Sequence, residues 1–142
     1  MPSRYDASKN CRVGTMDEAQ FYAEAGAESG AYFKALLAAW GKAGGTLKWG
    51  AGGVGLRGEV KGKEVGFCFV APAFRSKTDR IELGCSQLKK QIGDARCTAL
   101  ADSLRKVAGD QCKGQSMISI VSPGSLPATK QKALTKALTG ML

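Results

Sequence analysis

More than half of the nineteen glycines crowd between Gly41 and Gly66, and no other feature of the chain limits its fold as strongly. A glycine inside a helix costs about 1 kcal/mol relative to alanine, so a segment this rich in them is excluded from helix. Short strands joined by tight turns remain. The apolar residues agree, because Leu47 with Trp49 and Val54 with Leu56 recur at a period of two. Val60-Lys61-Gly62-Lys63-Glu64 reads as the turn of a hairpin between two strands.

Within this segment, Gly50-Ala51-Gly52-Gly53-Val54-Gly55 matches the G-x-G-x-x-G pattern of dinucleotide-binding loops. That pattern binds a pyrophosphate only where a strand leads in, a helix leads out and an acid about twenty residues on holds the ribose. Thr46 to Trp49 supplies the strand. The exit runs instead through Leu56, Arg57, Gly58 and Val60 as a second strand, and Phe74, Arg75 and Ser76 stand where the acid belongs. The loop is therefore expected to bend a hairpin. Its remaining chemical use is a nest of backbone amides at Gly52, Gly53 and Gly55, flanked by Lys48 and Arg57, that would receive an anion.

Helical signals flank the strands. Thr15 and Glu18 have the spacing of a capping box, and Phe21, Tyr22 and Ala25 begin an apolar face that Phe33, Leu36, Leu37 and Trp40 resume beyond Gly26 and Gly30. Gly41, Gly44 and Gly45 end it. In Val65 to Val70, Val65, Phe67 and Phe69 are expected on one face with Cys68 and Val70 on the other, as in a central strand. Arg80 to Gly84 alternates as a fourth strand. Short and longer helices are expected from Ser86 and up to Gly109, a fifth strand over Met117 to Val121, and a last helix over Leu126 to Thr139 capped by Ser125. The order is α+β: an N-terminal helix, a largely antiparallel four-stranded meander, helices flanking a fifth strand, and a closing helix. Residues 1–142 are read as a single domain, with residues 1–14 a flexible N-terminal segment.

Composition narrows the chemistry. Histidine is absent, which excludes histidine-dependent triads and the commonest metal ligand. Five cysteines, Cys11, Cys68, Cys85, Cys97 and Cys112, are never spaced as C-x-x-C and read as reduced thiols in a cytoplasmic protein. No apolar run is long enough for a membrane span. The net charge of +9 arises wholly after Tyr32, because the first 32 residues set Arg4, Lys9 and Arg12 against Asp6, Asp17, Glu18, Glu24 and Glu28. Such an excess attracts polyanions and also serves solubility.

Two catalytic constellations stand beside their simpler readings. Glu59-Val60-Lys61 has the E-x-K spacing of metal-dependent nucleases, yet no Asp or Glu lies between Glu28 and Glu59 to share a cation; Asp79 or Glu82 would serve only in a permuted order. A solvated hairpin tip accounts for it. Cys85 sits where a strand turns into a helix near Lys89 and Lys90, a setting that activates thiols, but it also continues the Ile81 and Leu83 face as a packing residue. Trp40, Trp49, Phe67, Phe69 and Phe74 would stack on bases if exposed. The reading is a non-catalytic binding domain for a protein partner or a second copy, without cofactor or metal. A nucleic-acid-associated domain and a histidine-free enzyme using Cys85 or Glu59 with Lys61 are the alternatives.

Overall fold

The computed structural model describes residues 5–6, 11–12, 17–72 and 78–142, the first two pairs as strand backbone. Tyr5–Asp6 (β1) and Cys11–Arg12 (β2) pair antiparallel; the rest of the segment expected to be flexible lies outside the described residues. Helix α1 (Glu18–Lys42) is capped by Asp17, whose carboxylate accepts the Gln20 amide at 2.8 Å. Thr15, expected to cap this helix, lies outside the described residues; the cap at Asp17 stands two residues later, on a side chain that also favours the positive end of the helix dipole. Gly26, at φ 87 and ψ 174, breaks α1 into two helical runs. The break resets the helical phase, so Phe21 before it and Phe33, Leu36, Leu37 and Trp40 after it all reach the core.

Among the described residues, six strands form the main sheet. β3 (Thr46–Trp49), β4 (Val54–Val60), β5 (Lys63–Ala71) and β6 (Arg80–Gly84) run as the expected antiparallel meander. Helices α2 (Cys85–Ile92) and α3 (Asp94–Ala108) follow, then β7 (Cys112–Lys113) and β8 (Met117–Val121). β8 pairs with β6, and β7 lies outside it, giving the order β3-β4-β5-β6-β8-β7. Two residues are too few to show a period, which is why β7 leaves no mark in the sequence.

The β4–β5 turn is a two-residue loop with both φ values positive, 53 at Lys61 and 81 at Gly62. Such a turn matches the right-handed twist of its strands but costs a lysine the left-handed conformation. Lys61→Asn is expected to stabilise the fold by about 0.5–1 kcal/mol, seen as a higher urea midpoint at unchanged slope.

Higher up the same hairpin the register shifts between Leu56 and Arg57, which face Cys68 and Gly66 and leave Phe67 as the extra residue of a bulge. This overturns the simple alternation of β5. Phe67 and Cys68 are both buried beside Val65 and Val70, and Phe69 emerges half-buried on the other face. A bulge adds one residue to one strand only, so every side chain beyond it changes sides.

The core lies on one face of the sheet, where α1, α2, α3 and α4 (Ala128–Thr139) meet Val54, Leu56, Val70, Ile81, Leu83, Ile118 and Ile120. The last helix starts two residues later than expected. Pro127 holds Leu126 extended, at φ −68 and ψ 150, after a 3-10 turn at Pro123–Ser125. Ser125 caps nothing in α4; its hydroxyl donates to the Ser122 carbonyl at 2.8 Å, and Gln131 reaches back to the Gly124 and Leu126 carbonyls. Among the described residues no helix is long and apolar enough to cross a membrane.

Candidate functional site

The face of the sheet opposite the core carries the groups that can meet a ligand. Cross-strand pairing places Lys48, Gly55, Phe69, Glu82, Ser119 and Lys113 in one line, one residue from each of the six strands. All six are exposed or half-buried. Thr46, Arg57 and Gly66 form a parallel line beside it, and Gly84 faces Met117. A groove of about 340 Å³ follows from this pattern. Gly55, Gly66 and Gly84 floor it, because three glycines leave the backbone bare where other strands would raise side chains; Arg57, Phe69 and Met117 stand at its sides.

The charges here are mixed. Arg57 Nε lies 3.3 Å from Glu64 Oε1, which also accepts the Thr46 hydroxyl at 3.2 Å, and Arg80 Nε lies 3.3 Å from Glu82 Oε2. Ion pairs this open contribute little to stability, but they hold both guanidinium groups against the sheet. Cys68, under the groove, is a buried thiol whose pKa burial raises to about 12, which favours its neutral, packing form.

The residues expected around the glycine loop separate into two places. Lys48, Gly55 and Arg57 belong to the open face, with Gly55 inside an interior strand whose backbone groups serve the ladder. Gly52 and Gly53 form the β3–β4 turn, closed by a 2.8 Å bond from the Gly50 amide to the Gly53 carbonyl. Gly53 is buried so tightly that a Cβ there would fall 2.1 Å from the Val70 carbonyl oxygen. A packing demand therefore explains this glycine without any ligand.

Glu59 and Lys61 are exposed at the hairpin end, where Glu59 faces Glu64 across the ladder and Lys61 is the turn residue. Asp79 is buried, with one carboxylate oxygen lacking a hydrogen-bond partner among the described residues, and Glu82 pairs with Arg80. Among the described residues no three Cys, Asp or Glu side chains are grouped to hold a metal ion. Cys85 opens α2, half-buried against the edge of the core. Burial raises its pKa, the neighbouring thiols Cys97 and Cys112 add to the rise, and Arg105 opposes it.

Of the aromatic residues, Trp40 and Phe67 are core and Trp49 packs edge-on against Phe21 at 5.5 Å, whereas Phe69 is half-exposed in the groove. Phe74 and Arg75 lie outside the described residues. Sequence reasoning passed over Gly66, Gly84 and Met117. Their signal is glycine at outward positions of three adjacent strands, and it becomes visible only with the register in hand. Compared with family models, curated proteins and solved structures, the chain finds no match.

Proposed function

We propose that this chain is a non-catalytic binding domain that docks a protein partner on the open face of its sheet. The observation that carries this reading is the glycine floor between Phe69 and Met117. Met117 is 52% exposed and shares the groove with the half-exposed Phe69, so two large apolar side chains stand together on this face. A glycine floor with Phe69 and Met117 beside it, and Arg57 reaching over Gly66, suits a flat or extended protein segment, which gains both close contact and apolar burial. Five cysteines that are never spaced as C-x-x-C fit a reducing, cytoplasmic setting.

Nucleic acid is the second reading, because Lys48 and Lys113 end the line that has Phe69 near its middle. Against it, Glu64 and Glu82 stand on the same face and neutralise the arginines that phosphates would need. An anion site in the glycine turn would rest on Gly52 and Lys48, since Gly53 is packed and Gly55 lies in the ladder.

Photo-crosslinking separates these readings. Benzoylphenylalanine in place of Ser119 is expected to capture protein from a cell extract, whereas the same group in place of Lys130 on α4 captures none of the same species. Adding Met117→Asp to the first variant should reduce capture by about tenfold while the protein stays folded. Equal capture from both positions would remove the open face from consideration. Salt-sensitive binding of a single-stranded oligonucleotide, abolished by Met117→Asp, would transfer the face to the nucleic-acid reading.

A further inference from the structure

Away from the groove, the corner that follows β6 gathers three thiols from distant parts of the sequence. Cys85 is the first residue of α2, Cys97 lies in the first turn of α3, and Cys112 begins β7. Cys85 and Cys97 open onto one cavity of about 400 Å³, shared with Lys89, Asp102 and Arg105. The Cys97 thiol is 3.9 Å from the Cys85 carbonyl oxygen, and the two residues line the same cavity. Neither residue is in a disulfide. Closeness of two cysteines is the first geometric condition for joining them, and the shared cavity gives a small oxidant a way in beside Cys85.

We propose that Cys85 and Cys97 form an oxidisable dithiol, a modification site at which a hydroperoxide converts the pair into an intramolecular disulfide. Cys85 is attacked first because it is half-buried, whereas Cys97 is only 5% exposed. The Cys85 thiol gives up its proton as its sulfur takes the distal oxygen of the hydroperoxide, the O–O bond breaks, and the leaving alkoxide picks up that proton and departs as the alcohol, or as water from hydrogen peroxide, giving a sulfenic acid. The Cys97 thiol then attacks that sulfur, the S–S bond forms, and the hydroxyl departs as water with the Cys97 proton. The two sulfurs lose two electrons in total, and the peroxide receives them. The product ties the start of α2 to the first turn of α3 at the margin of the core.

Mass spectrometry of the whole protein tests this. The folded chain is treated with hydrogen peroxide, quenched with N-ethylmaleimide, denatured and digested with trypsin. Cleavage after Arg80, Lys89, Arg96, Arg105 and Lys113 places Cys85, Cys97 and Cys112 on three different peptides, so the pairing is read directly. The expected product is the 81–89 peptide joined to the 97–105 peptide, short of two hydrogens, with Cys68 and Cys112 carrying the maleimide. Cys112→Ser should leave that product unchanged. Cys97→Ser should stop at the Cys85 sulfenic acid, trapped by dimedone. The proposal fails if the wild-type chain keeps both thiols free, if the dominant link joins Cys112 to either partner, or if it joins two chains.

Discussion

Trp40→Ala is expected to cost about 4–6 kcal/mol and to leave little folded protein, against a total stability for a domain of this size of about 5–15 kcal/mol. The indole is fully buried and meets Phe67 edge-on at 5.7 Å. Its Nε1 donates to the Arg57 carbonyl at 2.8 Å and to the Thr46 carbonyl at 3.2 Å. Thr46 and Arg57 are cross-strand partners, so one N–H ties the end of α1 to both strands of the first hairpin. Truncation removes a large apolar body and leaves these acceptors short of a donor. Trp40→Phe separates the two contributions, because it keeps a ring against Phe67 and loses only the donor and some volume. A loss of about 2 kcal/mol in urea unfolding is expected for it. A Trp40→Phe protein as stable as the wild type would show that the hydrogen bonds contribute nothing.

Gly124→Ala is the second large effect, with an expected loss of about 2–3 kcal/mol. A Cβ on Gly124 would stand 2.6 Å from Ser29 Cα, 2.8 Å from Ser29 N and 2.9 Å from the Glu28 carbonyl oxygen. All three are backbone atoms of α1, so no rotamer change relieves the clash. The turn at Pro123–Ser125 must move away from α1, and Gln131, which holds the Gly124 carbonyl, moves with it. Gly41→Ala in the same helix provides the opposite sign. That position is exposed, with no neighbouring atom within 4 Å of where a methyl would stand, and alanine there should stabilise by about 0.5–1 kcal/mol through helix propensity. Thermal unfolding of the two variants side by side checks both signs. Equal melting temperatures would refute the close approach at Gly124.

Much of the architecture was legible because it depends on near neighbours. The glycine crowding required turns between Gly41 and Gly66, the period of two marked the meander, and Gly109 closed α3 where the apolar stripe ended. Local chemistry also misled in places. Thr15 with Glu18 outlined a capping box, yet Asp17 holds the Gln20 amide. Ser125 looked like a cap, but Pro127 imposes an extended residue between it and the helix.

The candidate site was legible only in fragments. Gly55, expected in an amide nest, and Lys48 and Arg57, expected to flank it, share a sheet face with Gly66, Gly84 and Met117. Assembling that face needs the partner of each strand, and partners are chosen by burial across the whole sheet. Cys85 and Cys97 likewise meet only because α2 and α3 pack around the same corner.

By itself, then, the sequence determined that residues 41–66 form turns and strands, that helices flank them, and that histidine chemistry is absent, since backbone entropy, side-chain period and residue inventory act within a few positions. Tertiary structure alone decided the bulge at Phe67, the emergence of Phe69 beside three outward glycines, and the meeting of two thiols. Each of these depends on the register between strands or the packing between helices, where one residue of slip turns a buried side chain outward.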